Sequence, residues 1–366
     1  MADKKIAVGV VGANPRAGWA SRAHMPALRA LPEYEIVAVC TTKRESAEES
    51  QKAYGARKAY WDYREMVKDP DIELVDVSVK APEHYPVAMA ALNAGKHVIC
   101  EWPLGVDASQ ADEMAALAQA KGVKTLVVLQ ARYAPSFQYF RQLVQQGYLG
   151  KTLSATMTMF LPGLLRPRPE GSVWNARKEN GAHALNIATG HALDTFLWCL
   201  GDLADATGIV ATQVPQWPLA GSQKTTPVTS PDTVAFVGHL KDGTVVSVHV
   251  ASVPWHGTAL RIEAYGTEGT LIASSDQMVE MVDPVLRGGK ADQKGLEILR
   301  PPASLRWTPA EVDGVAVNVA QMFRRFAATL RGGEKTAPDF AEAAQRQRLL
   351  DALADSPTAK PLTRLP

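Results

Sequence analysis

The sequence predicts an α/β protein: a nucleotide-type domain on a parallel sheet, followed by an α+β domain with an antiparallel sheet. Three observations carry this expectation. Short apolar runs alternate with helical patterns through about residue 150. After that point the pattern changes to alternating apolar and polar residues, broken by turn signals. The 366 residues, 46% of them apolar, also suffice for two domains of ordinary size.

The first apolar runs are IAVGVVG (6–12), YEIVAVC (34–40), ELVDVSV (73–79), HVICE (97–101) and KTLVVL (124–129). Between them lie helical patterns such as SRAHMPALRAL, HYPVAMAALNAG and ASQADEMAALAQAKG. The last two end at Gly95 and Gly122, as helix stops do. Strands alternating with helices of this length imply βαβ units and a parallel sheet covered on both faces. Past residue 150, KTLSATMTMF alternates and a Pro/Arg-rich loop runs from Leu161 to about Asn180. A helix follows over 183–200, then a second long loop over 213–232. TVAFVGHL, TVVSVHVA, ALRIEAYG and GTLIAS read as antiparallel strands, turning at Lys241-Asp242-Gly243 and Gly266-Thr267-Glu268-Gly269. Two helices, about 311–331 and 338–354, follow.

Composition narrows the function classes. Lys and Arg number 39 against 38 Asp and Glu, a formal charge of +1. That balance argues against a nucleic-acid or membrane-surface partner. Cys40, Cys100 and Cys199 lie far apart with no metal-ligand spacing, so buried thiols in a reducing compartment are expected and no metal site is. MADKKIAVGVVGAN is charged for a few residues and then reads as a strand, and no apolar run reaches about 18 residues. A soluble cytoplasmic protein is the expectation.

VGVVGANPRAGWASRAHMP follows the first strand and opens the first helix, the context of a dinucleotide-binding loop. Gly12 stands where the tight turn needs it. Asn14 replaces the next glycine of the usual fingerprint, and the third is displaced to Gly18. Asn tolerates unusual backbone angles, and helix N–H groups there can hold a pyrophosphate. Gly12, Asn14, Pro15, Arg16 and Trp19 are therefore candidate cofactor contacts. The second strand ends in Thr41-Thr42-Lys43-Arg44, where an NAD enzyme usually has an acidic residue for the ribose 2′-OH. Hydroxyls and two cations would instead bind a 2′-phosphate, so NADP(H) is favoured over NAD(H).

At HVICEWPLG (97–105) a strand ends in Glu101 and turns at Trp102-Pro103. The residue before proline leaves the helical region, and an X-Pro bond is where a cis peptide is cheap. The surrounding HYPVAMAALNAGKHVICEWPLG (84–105) resembles the GKHV-x-x-EKPL signature of the glucose–fructose oxidoreductase / inositol dehydrogenase (Gfo/Idh/MocA) family. YLGKTLSATM (148–157), GHALDTFLWCLG (190–201), EAYGTEGTL (263–271) and PDFAEAAQRQRLLDAL resemble it too, in family order over nearly the whole chain. The resemblance implies an N-terminal NAD(P)-binding Rossmann domain over 1–130 and a C-terminal substrate-binding, oligomerising α+β domain with a large, mostly antiparallel sheet over 131–366, whose C-terminal helix is a candidate to pack back on the first. It implies a cis bond and the nicotinamide end at the Glu-x-Pro corner, hydride transfer at a carbinol carbon of a sugar-like small molecule, and a homodimer or homotetramer formed through the C-terminal sheet.

The chain departs from the family where protons move. The family's lysine between Glu and Pro is Trp102 here, which carries no proton. Of the D-x-x-x-H-x-x-D motif, His191 and Asp194 fit, but Ile187 stands at the first Asp, with Asn186 the nearest polar neighbour. Lys80, at the carboxyl end of a central strand, occupies the proline position of the family's T-P-x-x-x-H run and is a replacement candidate. Lys80 and His191 are thus the candidate acid/base groups. Val79, Lys80, His84, Glu101, Trp102 and Pro103 are candidate cofactor contacts, His84 either capping its helix or packing near the nicotinamide. Trp102, Arg132, Tyr133, Trp174, His183, Asn186 and His191 are candidate substrate contacts. SVKAPEHY, EWPL, LQARYAPS and TGHALD look most like the galactose-repressor branch of the family, whose members bind NAD(P) but act as regulators. Two readings follow. One is an NADP(H)-dependent oxidoreductase acting on a carbonyl, carbinol or imine substrate. The other is a non-catalytic NAD(P)-binding sensor that works through a protein partner.

Overall fold

The computed structural model describes residues 4–355. The chain forms two compact units. One runs through Ala134 and takes back Glu280–Val282 and Ala303–Gln347; the other holds Pro135–Val279, Asp283–Pro302 and the chain from Arg348.

The first unit is built on six parallel strands: β1 (Ile6–Val11), β2 (Tyr34–Cys40), β3 (Lys58–Tyr60), β4 (Leu74–Val77), β5 (His97–Glu101) and β6 (Thr125–Val128). Their order is β3-β2-β1-β4-β5-β6. The chain winds outward one way from β1 and the other way from β4, so a crevice opens at the carboxyl ends between those two strands. β1 and β4 are buried at every position, as parallel strands covered on both faces must be. The helices between strands are α1 (Met25–Ala30), α2 (Arg44–Tyr54), α3 (Tyr63–Met66), α4 (His84–Asn93) and α5 (Ala108–Lys121). α5 starts on an Asp107 side-chain cap, whose carboxylate accepts from Gln110 N at 2.9 Å, and stops at left-handed Gly122.

The turn into α1 is not plain helix. Ala20–His24 form a π-helical turn, which inserts an extra residue ahead of Pro26. A late segment completes this unit. Helix α8 (Ala316–Leu330) lays Val319, Phe323 and Phe326 into the core formed by β1 and α1. Tyr34 donates its hydroxyl to Phe323 O at 2.6 Å, and Val127 N of β6 donates to Pro338 O at 2.9 Å, which covers that sheet edge.

The second unit begins with α6 (Pro135–Gln145) and β7 (Thr152–Phe160), followed by α7 (Gly190–Leu200). Its sheet adds β8 (Leu203–Ala211), β11 (Thr233–Leu240), β12 (Val245–Ala251), β13 (Ala259–Gly266), β14 (Gly269–Ser275), β15 (Val285–Lys290) and β16 (Glu297–Ile298). The order is β16-β15-β14-β13-β7-β12-β11-β8. All pairs are antiparallel except β12 with β7, which run parallel. Met157, Met159, Val246, Val248 and Ile262 are buried on one face, while Ile209, Val237, Val245 and Tyr265 are exposed on the other.

Two sequence expectations need correction here. The helix expected over 183–200 is a π-helical turn (Leu185–Thr189) leading into α7. The loop expected over 213–232 holds a small hairpin, β9 (Gln216–Pro218) with β10 (Thr225–Pro227). That hairpin forms around buried Trp217. Helix α9 (Phe340–Asp355) ends the described chain.

Candidate functional site

The first unit's site is built from the carboxyl ends of β1, β2, β4 and β5. Gly12 closes the turn after β1 at φ +94°, and a Cβ there would lie 2.0 Å from Ser78 O. Only glycine fits so close to the segment after β4. The loop beyond it is ordered by its own bonds: Arg16 N donates to Asn14 Oδ1 at 2.9 Å, an Asx turn. Pro15 and Trp19 are half-buried beside it, and the Arg16 side chain, expected near a phosphate, pairs with Glu49 at 2.7 Å. After β2, Thr41 donates its hydroxyl to Lys43 O at 3.1 Å. Thr42, Lys43 and Arg44 are exposed; Arg44 pairs with Glu48 at 2.8 Å and lies over the Trp61 ring.

At the end of β5, Trp102–Pro103 is a cis peptide bond, and Trp102 is buried. His84 does not cap α4. Its Nδ1 lies 2.7 Å from Pro103 O and its Nε2 3.1 Å from Val79 O. Burial lowers its pKa, against the pull of the two carbonyls, and these contacts tie the ring to this corner. Lys80 is exposed just beyond Val79, at the start of a 3₁₀ turn.

Beneath the corner lies a group of charges that the sequence reading missed. His24 of the π-helical turn donates from Nδ1 to Asp76 in β4 at 2.8 Å, and from Nε2 to Glu101 at the end of β5. His24 and Asp76 are wholly buried. Burial opposes charge on the imidazole, but the two carboxylates outweigh it and hold His24 up to about 10. The ring edge packs against Phe323 with centroids 5.3 Å apart. The sequence did carry one sign of this group: an aspartate in the middle of the apolar strand ELVDVSV. Glu280 is buried in the same unit, its carboxyl pushed up to about 7 by desolvation, with a further push from Glu101.

Other expected contacts are already committed. Tyr133 donates its hydroxyl to Ala337 O at 2.6 Å, and Arg132 lies 3.7 Å from Glu342, both inside the first unit. Neither lines a described cavity. In the second unit, His191 is buried at the start of α7 with Nδ1 unpartnered, and burial brings it down to about 4. Asn186 N lies 3.4 Å from His183 Nδ1, and His183 lines a cavity with Ile187. Trp174 accepts from Asn180 through its backbone carbonyl; Asn175, its neighbour, lines that cavity instead. Among the described residues no cluster of His, Cys, Asp or Glu could hold a metal, the three cysteines are buried, and no helix is long and apolar enough to cross a membrane.

Residues 6–129 match the profile of an oxidoreductase family with an NAD-binding Rossmann fold (GFO_IDH_MocA), and 137–272 match the GFO/IDH/MocA C-terminal domain. Levoglucosan dehydrogenase from Pseudarthrobacter phenanthrenivorans is 25% identical over 96% of both chains. A levoglucosan dehydrogenase structure with NADH and levoglucosan superposes with a TM-score of 0.82 at 24% identity, over 96% of this chain and 97% of that one. A super-repressor mutant of Gal80p from Saccharomyces cerevisiae gives a TM-score of 0.87 at 21% identity over 96% of each chain. Likeness at these structural identities is likeness of fold.

Proposed function

This chain belongs to the GFO/IDH/MocA oxidoreductase family, and from that premise we propose that it is an NADP(H)-dependent oxidoreductase acting on a sugar-like or other small carbonyl, carbinol or imine substrate. The observation that carries the reading is Gly12, pressed against Ser78 O at the switch point between β1 and β4. A side chain would not fit there, and a doubly wound sheet holds a dinucleotide at such a switch point. Thr41, Thr42, Lys43 and Arg44 favour a 2′-phosphate over a bare ribose. A bound nicotinamide supplies or accepts the hydride. The chain's own groups have separate tasks: Glu101, fixed by His24, orients the corner, and Trp102 walls it.

Lys80 in the first unit and His191 in the second are the candidates for the proton. A neutral histidine with a pKa near 4 is a weak proton donor at neutral pH. It is better suited to accept or give a hydrogen bond, which leaves Lys80 as the stronger acid/base candidate. The protein is proposed to be cytoplasmic and to work as a homodimer or homotetramer.

The test is nicotinamide fluorescence followed by turnover on aldoses, ketoses, polyols and cyclic imines. NADPH should bind more tightly than NADH, and Lys43→Ala with Arg44→Ala should weaken NADPH far more than NADH. Equal losses would refute the 2′-phosphate assignment. With a turned-over substrate in hand, Lys80→Ala should lower kcat by roughly 100-fold or more. Trp102, in place of a proton carrier, favours a second reading: a cofactor-bound regulator. Tight NADPH binding with no turnover across the panel would select it.

A further inference from the structure

The loop between β7 and α7 and the β9–β10 hairpin form much of the wall of an open cavity of about 170 Å³ in the second unit. Its walls are mainly apolar, including Leu161, Leu164, Ile187, Trp217 and Met278. An engineered cavity of about 150 Å³ with such walls takes benzene, so this one has room for a ring-sized body. Unlike a core void, it contains a cation. Among the described residues that line it, Arg168 is the one charged side chain at neutral pH, because burial brings His183 down to about 4.

Arg168 is held in place and left without a counter-ion. Its backbone N donates to Pro218 O at 2.7 Å and its O accepts from Ala220 N at 2.9 Å, bridging it to the hairpin. Its guanidinium lies over the Trp217 ring, 4.9 Å from the centroid. Its Nε is buried and unpartnered, as are Trp217 Nε1 and Asn175 Oδ1. Two donors and an acceptor, each costing about 1–3 kcal/mol when buried unpaired, therefore gather around one small apolar space. Among the described residues no carboxylate pairs with Arg168.

We propose that this cavity binds a small monocarboxylate with an apolar, ring-sized body, its carboxylate held by the Arg168 fork beside Trp217 Nε1. A guanidinium matches a carboxylate bidentately. One cation neutralises one negative charge. A phosphate dianion would leave a second charge among apolar walls, where charge is costly. His183, a candidate substrate contact, lines this cavity, so the assignment rests on the second unit's substrate-binding reading; the binding it claims is measured without cofactor or turnover.

Benzoate is the probe, titrated calorimetrically into the full-length protein, with benzyl alcohol as its neutral counterpart and inorganic phosphate as the competing anion. Benzoate should saturate one site, benzyl alcohol should bind at least about tenfold more weakly, and phosphate should not displace benzoate at equal concentration. Arg168→Gln should weaken benzoate on the order of 10- to 100-fold with the melting temperature retained. Arg168→Lys, which keeps the charge but loses the fork and the stack, should fall between. Failure of benzoate to saturate overturns the proposal, as does benzyl alcohol binding equally well, phosphate competing on equal terms, or full affinity in Arg168→Gln. The comparison of benzoate with benzyl alcohol uses the unaltered protein, so it decides even if a variant misfolds.

Discussion

Glu280 and His24 set how the first unit responds to pH. Both have folded-state pKa values raised above the unfolded ones, so each contributes stability that is full below its unfolded value and lost as pH rises through its folded one. For Glu280 the window runs from about 4.5 to about 7, and for His24 from about 6.5 to about 10. Glu280→Gln keeps the shape and removes the buried charge. It should raise Tm by a few degrees at pH 8, on the order of 1–3 kcal/mol, and leave it nearly unchanged at pH 4.5. The alkaline loss through His24 should persist in that variant. Equal effects of Glu280→Gln at pH 4.5 and 8 would show that the carboxyl does not titrate in this window. The places of Gly12, Thr41, Glu101 and Trp102 at strand ends could be read in sequence because their signals are local: a strand end, then a turn residue. His24 could not be read that way. Its partners lie 52 and 77 positions away, and only the parallel pairing of β1, β4 and β5 brings the three together.

Among the elements, the β1–α1 turn is the most constrained. Gly12→Ala would put a methyl carbon onto Ser78 O and force a positive φ on a residue that resists it. The expected result is a destabilisation on the order of 2–4 kcal/mol and loss of nicotinamide-cofactor binding, read by thermal melts and nicotinamide fluorescence. Normal binding at normal stability would refute the role given to this turn. The strands of the first sheet were legible because a strand covered on both faces is a continuous apolar run, as in IAVGVV. The π-helical turns at Ala20–His24 and Leu185–Thr189 were not, because one extra residue in a turn leaves the apolar periodicity almost unchanged. The β9–β10 hairpin was hidden for a different reason. Its strands are three residues each and owe their place to Trp217 rather than to β propensity.

On the scale of the whole molecule, the large sheet has one face that its own helices leave open. Ile209, Val237, Val245 and Tyr265 stand there at 38–53% exposure, an apolar stripe of the kind that marks an interface. Val237→Arg should shift the protein from an oligomer to a monomer in light scattering while the melting temperature changes little. A wild-type monomer at micromolar concentration, or an oligomer unaffected by the substitution, would place assembly elsewhere. The opposite end of the chain has a consequence for how the molecule is made. Synthesis delivers residues 6–134 before the second sheet, yet the face of β1 and α1 that Val319, Phe323 and Phe326 cover, and the β6 edge that meets Pro338, find their partners in residues made after it. The nascent first unit therefore waits, apolar face bare, through the translation of the entire second sheet. A chain that ends before α8 should therefore be the aggregation-prone form of this protein, and one that includes it should not.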